Sequence, residues 1–438
     1  MIGGYVVNRV NKKISMSIVS AVFTLGLLAG CSSSSSGKAS SGSVQVWSDV
    51  SGDAKNVTNK MVDRFNKDNP GIKIQSQFFE TNAYKQKIQI VMGADNPPDI
   101  SSNWGGGRLK TFIDAGDILD LTPYLKDDSK RYLSSIMKSV TFDGKIYGVP
   151  EGNLQQVNFF YNKPLFKKYH LDPPATWDDL LKDIKVLKSK GIAPISLGGK
   201  DKWPDLMYFE YLVDRIGGQE PFNKVAAGKA NAWSDPAIQK AIQMMQQLVK
   251  AGAFEQGFSS VGSGDGEDVA LLYTNKAAMT LMGSWDYTSI ESNDKDFIDQ
   301  GNLGWFAFPT VAGGKGDPSD VAGNPSEFYS ISKKTKNKKA AIKFLKEANL
   351  NDQNVSDLIK ISNVPAVNGI ESQLKNSDGG DYMNFSYNII KNAKYFQQSW
   401  DTALETKEGN RLIEDLGNVF LNQMSPQQFS ADMNKYLK

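Results

Sequence analysis

The sequence is poor in the residues that build metal sites, disulfides and histidine-dependent catalysis. Its 438 residues include one cysteine, Cys31, and one histidine, His170. A single cysteine cannot form an intrachain disulfide, and a zinc site needs several nitrogen or sulfur ligands. A Ser-His-Asp arrangement would have to use His170, but this residue lies among charged neighbours just before Asp172-Pro173-Pro174. We therefore expect a solvated helix end at His170, no metal site and no cofactor.

The chain also lacks an excess of positive charge. Its formal net charge is +2, and residues 1–30 carry three positive charges and no negative ones, which leaves the remainder near −1. Binding to nucleic acid needs a concentrated basic face. The charge therefore excludes a nucleic-acid partner, and the apolar content of 40% suits a globular core.

The N-terminus has the layout of a secretory signal. Arg9, Lys12 and Lys13 precede an apolar run that ends in Leu28-Ala29-Gly30-Cys31. This pattern resembles a bacterial lipoprotein signal, so we expect residues 1–30 to be removed and Cys31 to be lipidated. The alternative is an uncleaved membrane anchor, but the apolar run is short for a span of about 20 residues. Both interpretations place the rest of the chain outside the cytoplasm. The lipoprotein interpretation attaches it to the outer face of the membrane through Cys31.

The remainder reads as a flexible linker followed by an α/β fold. Residues 31–43 are rich in serine and glycine. Strand, helix and strand patterns over residues 44–75 predict a βαβ unit on a parallel sheet. Asp143-Gly144 predicts a hairpin, and Asp235-Pro236 predicts a helix start. No such linker divides residues 44–438, so two domains in this region would be joined by crossing strands.

Four of the eight tryptophans mark candidate binding positions. Trp104, Trp203, Trp285 and Trp400 each lie where a strand or helix meets Gly, Asn, Asp or Pro. Ligands of open α/β sheets bind at such strand ends, and a flat indole matches the apolar face of a pyranose. Neighbouring Asn or Asp side chains can pair with sugar hydroxyls. The alternative for each tryptophan is simple packing.

Carboxylates keep a catalytic alternative open. A glycosidase needs two of them at about 5–9 Å, and Glu80, Glu151, Asp286 and Glu327 are candidates near strand ends. Their spacing cannot be read from the sequence, and none stands out as a pair. The run Gly105–Gly107 lacks the lysine and hydroxyl pattern of a phosphate-binding loop.

Several segments, taken together in their order and spacing, carry a family resemblance. They are Gly144–Pro150, Tyr161–Phe166 with Pro173–Leu180, Met282–Asp286, and Ala340–Leu345 ahead of Val364–Ala366. Across nearly all of residues 17–438 the chain resembles the extracellular solute-binding lipoproteins of ABC-type sugar importers, the maltodextrin-binding-protein-like family. The resemblance implies an α/β fold with two lobes, joined by crossing segments, and a ligand cleft that closes on a sugar.

The same resemblance implies the lobe boundaries and the site. Lobe one would comprise residues 44–152 and 318–365, and lobe two residues 153–317 and 366–438. Trp285 and Trp104 match stacking aromatics of the family, and Trp400 matches an aromatic near the penultimate helix region. Gln155 falls near a position where maltodextrin-binding protein has a carboxylate. Further candidates for ligand contacts are Asp286, Glu80, Asn103, Asn324 and Trp203.

The sequence thus predicts a monomeric, lipid-anchored binding protein that delivers an oligosaccharide to the permease and ATPase subunits of an importer, and that is not an enzyme. A cell-surface glycoside hydrolase is the first alternative, because it shares the location and the aromatic residues. The second is a binding protein for a non-sugar solute such as a polyamine, which would favour a cleft rich in carboxylates.

Overall fold

The structure is a computed structural model that describes residues 43–437. The predictions for the signal segment 1–30, for the lipidation of Cys31 and for most of the linker lie outside these residues. Within residues 43–437, no helix has both the length and the apolar character that crossing a membrane requires.

Strands and helices alternate along the described chain. The strands are β1 Ser43–Ser48, β2 Lys73–Phe78, β3 Ile100–Asn103, β4 Thr141–Phe142, β5 Lys145–Ile146, β6 Val149–Pro150, β7 Gln155–Asn162, β8 Ala193–Ser196, β9 Ala277–Gly283, β10 Leu303–Phe306, β11 Val321–Asn324, β12 Phe328–Ile331 and β13 Phe396–Gln398. The α-helices are α1 Gly52–Asp68, α2 Thr81–Met92, α3 Gly106–Asp114, α4 Thr122–Leu125, α5 Ser134–Met137, α6 Lys163–Tyr169, α7 Trp177–Ser189, α8 Trp203–Gly217, α9 Glu220–Ala226, α10 Pro236–Ala251, α11 Glu267–Tyr273, α12 Trp285–Asn293, α13 Lys295–Asp299, α14 Lys338–Phe344, α15 Asp352–Ile359, α16 Glu371–Lys375, α17 Gly380–Asn392, α18 Trp400–Ala403, α19 Thr406–Phe420 and α20 Pro426–Met433.

Two larger sheets organise these elements. The first has the strand order β2-β1-β3-β12-β6, with β1 parallel to β2 and β3 and with β12 antiparallel to its neighbours. The second has the order β13-β11-β7-β9-β8, and β10 also pairs with β7. Each sheet has its own buried core, with Val46, Ile100 and Phe328 in the first and Phe159 and Leu281 in the second. We call these two parts lobe one and lobe two.

The chain passes between the sheets through three crossing segments, residues 151–154, 325–327 and 393–395. The first two are bonded to each other, because the Glu151 amide donates to the Glu327 carbonyl at 2.8 Å and the Ser326 hydroxyl donates to the Asn153 carbonyl at 3.0 Å. The expected joining of two domains by crossing segments is therefore present.

Two lobe boundaries differ from those expected from the sequence. Strand β11 pairs with β7 and β13, so residues 321–324 belong to lobe two and not to lobe one. Residues 366–390 also change sides, because Val367, Leu374 and Tyr387 pack in the core of lobe one. In both cases the local pattern gives an element's type, whereas its partner is chosen by tertiary packing.

Local turn and cap signals are confirmed. The hairpin β4–β5 turns at Asp143 and Gly144, whose φ angles of 50° and 73° are those of a type I′ turn. The Asp235 side chain accepts from the Ala237 amide at 2.9 Å and caps α10. His170 is exposed and ends α6 in the left-handed region, as expected for a solvated helix end.

Within lobe two, the buried Arg215 at the end of α8 makes several stabilising hydrogen bonds. Its guanidinium donates to the Asp214 carboxylate at 2.7 Å and to the carbonyls of Asp317 and Asp320 at 3.3 and 3.0 Å. The side chain is 1% exposed. It therefore fixes the segment that leads into β11.

We expect Arg215→Ala to lower the free energy of unfolding by about 3–5 kcal/mol, because it leaves a buried carboxylate without its cation. Urea denaturation measures the change. Arg64→Ala is the control, since Arg64 pairs with Asp357 at 2.6 Å but is 39% exposed and should contribute no more than about 1 kcal/mol. Equal effects of the two substitutions would contradict this role for Arg215.

Candidate functional site

The strand ends of the two sheets face each other across a cleft. Segments that follow β1 and β2 in lobe one touch segments that follow β9, β8 and β13 in lobe two. Three side-chain contacts join them: Asp53 with Ser292 at 3.1 Å, Asn82 with Asp201 at 3.0 Å, and Lys85 with Asp401 at 3.4 Å. Open α/β sheets bind ligands at such strand ends, so the space between these contacts is the candidate site.

Three carboxyl groups meet on the lobe-one side of the cleft. Asp49 follows β1, and Glu151 and Glu327 lie on two of the crossing segments. Asp49 and Glu151 are 5% and 6% exposed. Hydroxyls of Ser48 and Ser102 donate to the two oxygens of Glu151, the first at 2.6 Å. Neither carboxylate oxygen of Asp49 accepts a hydrogen bond of ordinary geometry, and both oxygens are buried.

Burial raises the pKa of all three carboxyl groups of the cluster. Burial, followed by the charge of Glu151, raises the pKa of Asp49 to about 7. Burial also raises the pKa of Glu151, and burial together with Asp49 and Glu151 raises the pKa of Glu327 well above its usual value. Lys85 is the cation that opposes these shifts at Asp49 and Glu327. The cluster can therefore both donate and accept hydrogen bonds.

An aromatic pair lies on the lobe-two side. Trp203 begins α8 and Trp285 begins α12, both indoles are half-buried, and their centroids lie 6.0 Å apart at 62°. The Trp285 ring packs flat on Gly283, where an added Cβ would come within 2.1 Å of the ring. Glycine at the end of β9 is therefore required for this orientation of the indole.

Asp286, which follows Trp285, is a buried neighbour of the pair. It is 4% exposed and one carboxylate oxygen has no hydrogen-bond partner. Burial, followed by Asp268, raises the pKa of Asp286 well above its usual value. Burial therefore disfavours the ionised form of this carboxyl group.

The other predicted residues of lobe one have structural partners. Trp104 is 5% exposed, and the Lys85 ammonium stands 5.2 Å from its ring centroid. Asn103 donates to the Phe328 carbonyl and accepts from the Gly105 amide, both at 2.9 Å. Both residues are therefore buried parts of the wall of the cleft on the lobe-one side.

Glu80 lies at the rim of the cleft. Its carboxylate caps α2 by accepting from the amides of Asn82 and Ala83 at 2.9 Å. A Cβ on Gly264 of lobe two would lie 3.3 Å from the same carboxylate. Glu80 therefore positions α2 where the two lobes meet.

The structure does not bring Trp400 to the cleft surface. Its side chain is 1% exposed and packs against Phe222, Trp233 and Phe209 at 4.9, 5.5 and 5.2 Å. The local context of Trp400 resembles that of Trp285, but residues distant in sequence cover its indole. Trp400 is a core residue of lobe two here, which corrects the expectation that it stacks a ligand.

Gln155 and Asn324 lie opposite each other where β7 pairs with β11. Gln155 lies beside the Glu327 carboxyl group and opposes the rise of its pKa. Asn324 accepts from the Thr402 hydroxyl at 3.0 Å. Both residues therefore line the base of the cleft next to the crossing segments.

Two residues of the site were not foreseen. Asp49 follows β1 directly, as Glu80 follows β2. The preference of ligands for the strand ends of open α/β sheets therefore predicts Asp49 as well as Glu80. Lys85 lies one turn into α2, and no sequence signal separates it from the other lysines of that helix. Among residues 43–437, no group of three or more His, Cys, Asp or Glu side chains is arranged to hold a metal ion.

Comparisons with known proteins agree with this architecture. A family model described as bacterial extracellular solute-binding protein matches residues 51–355. An uncharacterized ABC transporter extracellular-binding protein of Pyrococcus horikoshii is 31% identical over 243 residues. That match covers 54% of this chain and 54% of the relative, so it spans about half of the curated protein's length.

Two solved structures share the fold, each with a TM-score of 0.80 over 90% of this chain. One comes from a study of xylan utilization by the thermophilic bacterium Caldanaerobius polysaccharolyticus, is 30% identical and is covered over 100% of its length. The other is a chitin oligosaccharide binding protein, 27% identical and covered over 98%. These likenesses confirm the two-lobed α/β fold predicted from the sequence.

The carboxyl cluster makes stability depend on pH. The native pKa of Asp49 lies near 7, against 3.8 without burial, so the folded protein keeps a proton that the unfolded chain releases across this interval. Stability should therefore fall as the pH rises from about 4 to 7, with Asp49 contributing about 1.4 kcal/mol per pH unit. Asp49→Asn should flatten the slope by this amount in urea denaturation at several pH values.

Asp127→Asn provides the control for this series. Asp127 is exposed, and its hydrogen bond to Lys130 lowers its pKa, so it titrates below the interval and its removal should leave the slope unchanged. A slope for Asp49→Asn equal to that of the parent protein would show that Asp49 is ionised in the native state.

Proposed function

Because the chain belongs to the family of bacterial extracellular solute-binding proteins, we propose that it captures an oligosaccharide in the interlobe cleft and delivers it to an ABC importer. The family acts outside the cytoplasm. The observation that carries the proposal is the half-buried pair Trp203 and Trp285 at the strand ends of lobe two, beside the contacts Asn82–Asp201 and Asp53–Ser292 that join the two lobes.

This pairing suits a saccharide for a physical reason. A pyranose has an apolar face of C–H groups that packs on an indole, and hydroxyls around its edge that need strong hydrogen-bond partners. The raised pKa values of Asp49, Glu151 and Glu327 favour protonated forms, so this cluster would supply donors as well as acceptors. Binding sites of this kind combine aromatic walls with a few placed polar groups.

Lobe closure would complete the site. Asn82, Lys85 and Asp53 of lobe one already contact lobe two at hydrogen-bond or ion-pair distances. A ligand held by groups from both lobes stabilises the closed arrangement over the open one. We propose that the permease receives the protein in this closed, loaded form, and that the protein acts as a monomer without a cofactor.

We further propose that lipidation of Cys31 anchors the protein to the outer face of the membrane after removal of residues 1–30. The signal pattern before Cys31 supports this attachment, and the serine-rich segment that follows it would act as a tether. A paired acyl chain gives stable binding to a bilayer, whereas a single chain gives marginal binding.

Calorimetric titration with xylo-oligosaccharides and chito-oligosaccharides tests the function, because the two structural relatives are named for xylan utilization and for chitin oligosaccharides. We expect saturable binding of at least one sugar at micromolar concentration and no change in that sugar after prolonged incubation. Hydrolysis would favour the glycosidase alternative with Asp49, Glu151 and Glu327 as its carboxyl groups. Binding of a polyamine in place of every sugar would overturn the ligand class.

Trp285→Ala should weaken sugar binding by about tenfold or more, given roughly 1–3 kcal/mol for a buried aromatic contact. Trp305→Ala is the matched control, because Trp305 is a half-buried indole of lobe two that packs on Tyr382 at 5.2 Å, away from the strand ends of the cleft. We expect the control to lower stability and to keep the dissociation constant. An unchanged affinity in Trp285→Ala would remove this residue from the site.

A further inference from the structure

The glycine run after β3 makes an unusually close contact between the lobes. Gly105 and Gly106 have φ angles of 69° and 60°, which glycine adopts at little cost. They turn the chain into α3, whose first residues lie directly on α18 and the residues around it in lobe two. A Cβ on Gly106 would lie 2.5 Å from the Gln398 amide nitrogen and 2.7 Å from the Thr402 carbonyl oxygen.

Gly107 is the most informative member of the run. Its φ angle is not in the left-handed region, so an alanine there carries no backbone strain. A Cβ at this position would lie 2.5 Å from the carbonyl carbon and oxygen of Leu404 and 2.6 Å from the Ala403 carbonyl oxygen. These three nearest atoms all belong to lobe two. A methyl group at residue 107 therefore collides with the other lobe and not with its own.

Charged groups complete the same contact. The Asp401 carboxylate of lobe two is 4% exposed, and its cations, Lys85 at 3.4 Å and Arg108 at 4.0 Å, both come from lobe one. The buried Arg108 side chain also donates to the Asp401 carbonyl at 3.2 Å and to the Asn410 side chain at 2.7 Å. Separation of the lobes would break these bonds.

We propose that Gly107 and Arg108 are affinity-determining residues of the sugar site that act through lobe closure and not through contact with the ligand. This inference rests on the proposed function. The apparent affinity of a ligand that needs the closed form scales with the fraction of protein that can close. Close backbone approach at Gly107 and the bonds of Arg108 raise that fraction. The glycine run is therefore the part of lobe one that packs against lobe two when the cleft is closed.

The test is Gly107→Ala, with the affinity for the best-bound sugar and the melting temperature of the sugar-free protein as readouts. We expect the dissociation constant to rise about tenfold or more, mainly through faster release, while the melting temperature stays that of the parent protein. Gly71→Ala is the control, because Gly71 lies in lobe one with open space around its Cβ position. It should change neither quantity.

Asn410→Ala provides a second variant that does not depend on the glycine. Asn410 is exposed on α19, so its truncation should not disturb folding. It removes an acceptor of Arg108 and should weaken sugar binding about threefold to tenfold. Parental affinity in both variants would overturn the proposal. So would a fall in the melting temperature of sugar-free Gly107→Ala, because that would make the contact a permanent part of the core.

Failure of the proposed sugar binding can be distinguished from failure of the closure contact. If the parent protein binds no sugar, small-angle scattering of the parent and of Gly107→Ala still compares how closely their lobes approach. A larger radius of gyration in Gly107→Ala would support the closure contact. Identical scattering curves would overturn it independently of the ligand class.

Discussion

The pair of crossing segments that joins the lobes is the constraint on which the cleft depends. Residues 151–154 and 325–327 are hydrogen-bonded to each other, and each carries one member of the carboxyl cluster. Glu151 and Glu327 therefore occupy fixed positions at the base of the cleft, where the two sheets meet. Any rotation of one lobe against the other must turn about the segments that carry these two side chains.

Burial of acids at this place has a clear energetic consequence. Carboxyl groups removed from water keep their protons or find donors, and here serine hydroxyls satisfy Glu151 while no hydrogen bond of ordinary geometry reaches the buried carboxylate of Asp49. A polar ligand that donates to Asp49 would recover part of the desolvation cost. Lobe one supplies the carboxyl cluster together with Trp104, and lobe two supplies Trp203 and Trp285 together with Asp286. Apart from Glu327, these residues lie on segments that follow strands of their own lobe.

Much of this arrangement could be predicted from the sequence, because it depends on local signals. Trp285 follows a strand that ends in glycine, and Gly283 is what lets the indole lie flat. Trp400 has a similar local setting, yet Phe222 and Trp233 bury it. The assignment of β11 to lobe two likewise depends on pairing with β7 and β13, which are distant in sequence. Contacts between residues so distant in sequence cannot be predicted from local patterns.

Amide hydrogen exchange with and without the best-bound oligosaccharide would test the central claim most directly. A ligand held between the lobes should slow exchange at the same time in segments that follow β1 and β3 and in segments that follow β8, β9 and β13. Protection confined to one lobe, or centred on Trp305 away from these strand ends, would contradict an interlobe sugar site that closes on its ligand.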